Sequence, residues 1–276
     1  MIFLLLAICS SAMISVMMRL SSHKVSGNYS VLAFNYLACS LLGAGYTGFQ
    51  LVPQAAGFPL TLLLGLISGV LYLTALVLFQ SNTRKRGVVL SSVFMKLGLL
   101  VPMAASTLLF GEFPTGVQIV GFVIALGAIV LINLEKGGSS SFGFGLILML
   151  LLSGGADVMA KFFDAWCPQA LSGQYLFYTF FTAFVLCLGL VVRGKERPGL
   201  KELLYGTLIG VPNFFSAKFL LASLNSLPAV VVYPSFSVGT LLLVTLTGVA
   251  VFQERLRRHQ WIALAAILAA LILLNI

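Results

Sequence analysis

The sequence predicts an all-α membrane protein of ten transmembrane helices, arranged as two inverted five-helix repeats. Three observations predict it. The composition is too apolar for a water-soluble core. The apolar residues fall in runs of about twenty, the length that crosses a bilayer. The second half of the chain repeats the first at a fixed offset of 142 residues.

Of 276 residues, 60% are hydrophobic and 8% charged, with a mean hydropathy of +1.09. A soluble domain carries roughly 25% charged residues, and this chain has too little polar side chain to cover a folded surface. The net charge of +9 does not point to nucleic acid, because the basic residues cluster in short links between apolar runs, where they act as topology signals. The four cysteines have no metal-type or disulfide-framework spacing. His23 and His259 lie in or beside links, far apart and solvated. Neither a cofactor nor a metal is expected.

The spans run at about 2–20, 31–52, 59–81, 88–110, 116–134, 142–163, 173–192, 203–224, 229–252 and 259–276. Unpaired backbone groups are too costly in lipid for anything but helices or a closed barrel, and a barrel would alternate in segments of about ten residues. The first span, "MIFLLLAICSSAMISVMMRL", lacks the positive start of a signal peptide and is read as a retained helix.

The offset ties these spans together. Residues 88–134 fall on 230–276 without a gap, with twelve identities in 47 positions, among them Glu112 with Glu254, Gln118 with Gln260 and Asn133 with Asn275. Arg19 aligns with Lys161 and Tyr36 with Tyr178 in the same register. The repeats are residues 1–137 and 138–276. Five helices per repeat is odd, so the second repeat enters the membrane from the opposite side, the plan of many secondary transporters. Glu112 and Glu254 then occupy one structural position twice, each bracing the start of a following helix. The inversion puts them on opposite membrane faces, which argues against a joint catalytic role.

The segments "LLFGEFPTGVQIVGFVIALGAIVL" and "AVFQERLRRHQWIALAAILAALIL" close the two halves. With the five-plus-five helix plan, they resemble the drug/metabolite transporter superfamily, in its EamA-like branch. The resemblance covers essentially the whole chain. It implies a carrier of small organic solutes, run by gradients or exchange without ATP hydrolysis, with helices 3 and 9 lining a central cavity. No GxxxxGK[ST] phosphate loop occurs. The chain departs from the family where the link 51–58 is uncharged, while "NTRKRG" at 82–87 carries three basic residues.

Alternate links sort the charges. One side gathers Arg19, Lys24, Arg84, Lys85, Arg86, Lys136, Arg193, Lys195, Arg197, Lys201, Arg255, Arg257 and Arg258, and the other gathers none. The positive-inside rule puts that side in the cytoplasm and both termini outside. The resembling family is usually drawn with the termini inside. The expected location is a cell (plasma or inner) membrane, multi-pass.

Ionisable residues within the bilayer are functional candidates. Lys96, Asp157, Lys161 and Lys218 qualify. Lys96 lies about 12 Å into its helix at 1.5 Å per residue, near the midplane, with no carboxylate evident at its level. It is expected to face a wet cavity and hold a substrate carboxylate or phosphate; the competing reading is a lysine bonded to broken-helix carbonyls or snorkelling to the surface. Asp157 and Lys218 reach similar depth and are expected to pair, and Lys161, one turn after Asp157, to snorkel. Pro212, Pro102 and Pro234 are expected to kink their helices beside Asn213, Lys96, Tyr233 and Ser235. Tyr72 and Tyr233 join the candidate set through the helices they sit on, whereas Tyr36 and Tyr178 are read as packing residues. The substrate-binding set is thus Lys96, Asn213, Lys218, Tyr72, Tyr233, Ser235 and Asp157, with no catalytic residue.

These features favour a secondary transporter of a small organic metabolite bearing a carboxylate or phosphate. An exporter of cationic or aromatic drugs or amino acids is the alternative, and a membrane-embedded enzyme a distant one, because enzymes need clustered carboxylates, a metal set or an activated nucleophile. The partners expected are a small-molecule substrate and the lipid bilayer, with no nucleic acid; a homodimer stays open.

Overall fold

The computed structural model describes the chain except residues 1, 22–23, 26, 103–104, 106–114, 118, 122, 125–126, 128–143, 225–228, 254–257 and 274–276. Among the described residues the structure is helical and contains no strand. The helices with defined bounds are α1 (Ile2–Ser21), α2 (Asn28–Tyr46), α3 (Phe58–Arg86), α4 (Val88–Lys96), α5 (Phe144–Trp166), α6 (Ser172–Arg193), α7 (Leu200–Leu224), α8 (Ala229–Ala250) and α9 (Arg258–Leu273). Residues 116, 117, 119–121, 123, 124 and 127 are also helical. Among the described residues, four segments are long and apolar enough to cross a membrane: Ile2–Ser21, Phe58–Arg86, Phe144–Trp166 and Gln169–Arg193. Large apolar side chains face outward on them, among them Leu5, Leu63, Leu151 and Val185. Such a surface suits lipid rather than water, and this is a membrane protein.

Several boundaries differ from the sequence reading. α2 stops at Tyr46 instead of running to 52. α3 continues to Arg86, so Arg84, Lys85 and Arg86 form its last turn rather than a link. Cations there complement the partial negative charge at a helix C-terminus. The break comes at Gly87, with φ 89° and ψ 164°, backbone that glycine adopts at little cost. Lys96 ends α4, and a single 3₁₀ turn, Leu97–Leu99, follows it. Pro102 lacks the N–H that would bond back toward Gly98, so a tightened turn there fits its chemistry. By contrast α7 runs through Pro212 and α8 past Pro234 as single helices. Glu112, Glu254, Gln118, Asn133 and Asn275 lie outside the described residues, as do Lys136, Arg255 and Arg257.

α3 and α7 start 142 residues apart, at 58 and 200, and α2 and α6 start 144 apart, at 28 and 172. Packing recurs with them. α1 packs on α7 as α5 packs on α3, α2 packs on α7 as α6 packs on α3, and α1 meets α8 as α5 meets α4. α2 and α6 pack on each other. Small residues make the close contacts. A Cβ added at Gly69 of α3 would fall 2.5 Å from the Thr179 carbonyl oxygen of α6, and one at Gly210 of α7 would fall 2.5 Å from the Asn35 carbonyl oxygen of α2. Gly65 and Gly206 sit one turn earlier in the same two seams, also against the partner helix. Glycines four apart let helix backbones approach where lipid offers no hydrophobic drive.

Side-chain bonds mark two ends of the bundle. At one end Arg19 Nη1 donates to the Thr83 carbonyl (3.1 Å), and Asn82 Nδ2 to that of Gly145 (3.1 Å). The Glu196 carboxylate accepts the Tyr29 and Ser30 amides (3.2 and 2.8 Å) and the Ser30 hydroxyl (2.8 Å), capping α2. Arg19, Arg84, Lys85, Arg86 and Arg193 therefore share one end. At the other, Gln174 Nε2 donates to the Gln50 carbonyl (3.0 Å) and the Tyr178 hydroxyl to that of Leu51 (3.0 Å), joining the uncharged 47–57 link to the start of α6. Tyr36 is fully buried and lies 6.4 Å from the Phe180 ring, a packing residue as expected.

Candidate functional site

A cavity opens among α1, α3, α4, α5, α7 and α8, with about 850 Å³ of unfilled space, its open mouth included. Two charged residues line it, Lys96 and Asp157. Lys96 ends α4 where the 3₁₀ turn begins, which aims its side chain between α1 and α8. Its Nζ donates to Ser11 Oγ at 3.1 Å and stands 3.9 Å over the Phe236 ring. An ammonium over an aromatic face is attracted by the ring quadrupole. Asp157 projects from α5 into the same space, and the two charges attract each other. The counter-charge at the level of Lys96 is therefore Asp157, which the sequence reading assigned to Lys218 instead.

Lys218 lies elsewhere. Its Nζ sits 4.1 Å over the ring of Tyr46, at the C-terminal end of α2, and Lys218 is not among the cavity-lining residues. The expected Asp157–Lys218 pair is not formed because the two side chains leave their helices toward different neighbours. Tyr72 and Asn213 line the cavity as expected. Asn213 Nδ2 donates to Asn35 Oδ1 at 3.2 Å, both residues being buried, so α2 orients this amide from behind. Ser235 is bypassed; the wall from α8 is Phe236 and Ser237. The side chain of Tyr233 lies outside the described residues.

Sequence reasoning missed Ser11, Ser153, Phe236 and Ser237. The repeat held a signal for them. At the 142-residue offset Ser11 corresponds to Ser153, Ala75 to Ala217 and Met95 to Ser237, and all six line the cavity. Three pairs of positions related by that offset therefore line the cavity. The charges break that equivalence: Lys96 corresponds to Val238 and Asp157 to Ser15. Ser15 instead takes part in a buried hydroxyl contact with Ser92 of α4, 3.3 Å apart. Chemically, the cavity offers one cation, one carboxylate, several hydroxyls, an amide and two aromatic rings. That set suits recognition of a small polar solute. Among the described residues no cluster of three or more His, Cys, Asp or Glu could hold a metal ion.

No family model matches the chain. An uncharacterized protein of Haemophilus influenzae is 27% identical over 287 aligned residues, which span 97% of this chain and 95% of the relative. A protein of known crystal structure matches 99% of this chain and 94% of its own with a TM-score of 0.63 and 16% identity. At that identity the likeness speaks to the fold alone. Both similarities run over nearly the full length of each partner, so the helices belong to one shared arrangement rather than to a local motif.

Proposed function

We propose that the chain is a secondary transporter of a small organic solute bearing a carboxylate or phosphate, working by alternating access without ATP hydrolysis. The observation that carries this reading is the cavity: its lining includes three pairs of positions related by the 142-residue offset, and a lysine enters it where α4 gives way to a 3₁₀ turn. In this reading residues 1–137 and 138–276 are inverted five-helix repeats that rock about the cavity and expose it to one side at a time. The EamA-like resemblance of the two closing segments supports the same plan. Lys96 holds the anionic group, Ser11 and Phe236 set its position, and Asn213 and Tyr72 contact the rest of the solute.

The basic end of the bundle faces the cytoplasm of a cell membrane that the chain crosses many times, which leaves both termini outside. A C-terminal reporter that works only in the cytoplasm is predicted to stay silent; a cytoplasmic signal would reverse this orientation.

A cavity that also holds the Asp157 carboxylate and the rings of Tyr72 and Phe236 favours a second reading, an exporter of cationic or aromatic solutes. Exchange in proteoliposomes separates the two. Preloaded vesicles are tested with radiolabelled carboxylates, phosphates, zwitterions and lipophilic cations. Saturable exchange of an anionic or zwitterionic solute is expected, while exchange of lipophilic cations alone would favour the second reading.

A further inference from the structure

The transport reading assigns Lys96 a partner but leaves open what happens to Asp157 when that partner arrives. We propose that Asp157 is a proton site linked to anion occupancy at Lys96, so that each solute anion seated on the lysine brings one proton onto the carboxylate and the two cross together. This deepens the transport reading and rests on it.

Among the described residues, Lys96 and Asp157 are the charged side chains lining the cavity, and their opposite charges attract. Their surroundings include Ile14, Ala75, Ala156, Leu220 and Phe236. A solute anion claims the lysine's charge. The cavity then holds two anions and one cation in apolar surroundings, where an uncompensated carboxylate is expensive. A second anion nearby also disfavours the ionised form of the first.

Among the described residues lining the cavity, Asp157 has no cation other than Lys96. From α4 comes Lys96, already engaged. From α3 comes Tyr72 and from α6 Tyr175, whose phenol senses the Asp157 charge; both are neutral acids. From α7 comes the Asn213 amide. On α5 itself, Lys161 stands one turn further on, outside the cavity lining. A proton from water is left to restore the balance. It forms an O–H bond on the carboxylate, and no bond in the solute breaks. Because Val238 and Ser15 occupy the equivalent positions in the other halves, the cavity carries this charge pair once, which sets one proton per anion. A zwitterion, carrying its own ammonium, takes up no proton.

The test needs no solute. Neutralising Lys96 by mutation acts on Asp157 as a bound anion would. Infrared spectra of the purified full chain at neutral pH separate a carboxylic acid C=O band from ionised carboxylate. The band assignable to Asp157 is predicted to be absent in wild type and in Lys96→Arg, to appear in Lys96→Gln, and to be lost in Lys96→Gln/Asp157→Asn. Lys96→Met supplies the same charge loss if the glutamine variant misfolds. No new band in either neutral variant, or a band that survives Asp157→Asn, overturns the linkage. An absent band with anion exchange intact removes the linkage alone. A band present in a protein that exchanges no solute removes the transport reading and leaves a proton-linked anion site.

Discussion

Gly69 sits where α3 meets α6, and its missing side chain permits the contact. A Cβ there would lie 2.5 Å from the Thr179 carbonyl oxygen and 2.7 Å from Thr182 Cβ. Backbone cannot rotate away as a side chain can, so the helices must part. Gly69→Val is expected to cost about 1–3 kcal/mol, the usual penalty of overpacking. Thermal unfolding in detergent checks this against Gly189→Ala, where an added Cβ meets nothing within 4 Å. Equal midpoints for the two variants would contradict the packing. The close-packing role of Gly65 and Gly69 was legible in the sequence, because small residues four apart in an apolar helix have few other uses. Lys96 was legible too, as a cation deep in an apolar run. Its relation to Asp157 was not. Depth along a helix can be counted from sequence, but the direction a side chain leaves it depends on helix rotation and crossing. Lys218 shows the difference: similar in counted depth to Asp157, it turns to Tyr46 instead.

At the scale of elements, apolar run length predicted helices, and the 142-residue offset separates the starts of α3 and α7, at 58 and 200. Helix ends were harder. The run "NTRKR" reads as a polar link, yet arginine and lysine are good helix formers and suit a C-terminal turn. The chain breaks one residue later, at Gly87, where backbone conformation rather than polarity decides. At the far end, α2 ends at Tyr46 although "GFQLV" beyond it is apolar; those residues form the turn and extended link whose carbonyls accept from Gln174 and Tyr178. Prolines were read as kinks, and α7 continues through Pro212 as one helix, which a kink permits.

Across the whole molecule, equivalent positions from both halves meet at one cavity while its charges come from one copy of each position. In the proposed transport cycle, such a pairing of positions would supply two similar arrangements of the bundle around one site. The cavity's serines could have been found by overlaying the repeats, since Ser11 and Ser153 coincide; its openness could not, because volume depends on how helices cross. The central claim is that Lys96 holds an anionic group of the solute inside this cavity. A thermal-shift screen of the detergent-purified protein tests it most directly, using carboxylates, phosphates, zwitterions and lipophilic cations on wild type and on Lys96→Ala. Ligands that bind the folded state raise the unfolding midpoint by mass action. The account predicts stabilisation of wild type by at least one anionic or zwitterionic compound and its loss in Lys96→Ala. Stabilisation by cations alone, or an anion response unchanged in the variant, would contradict it.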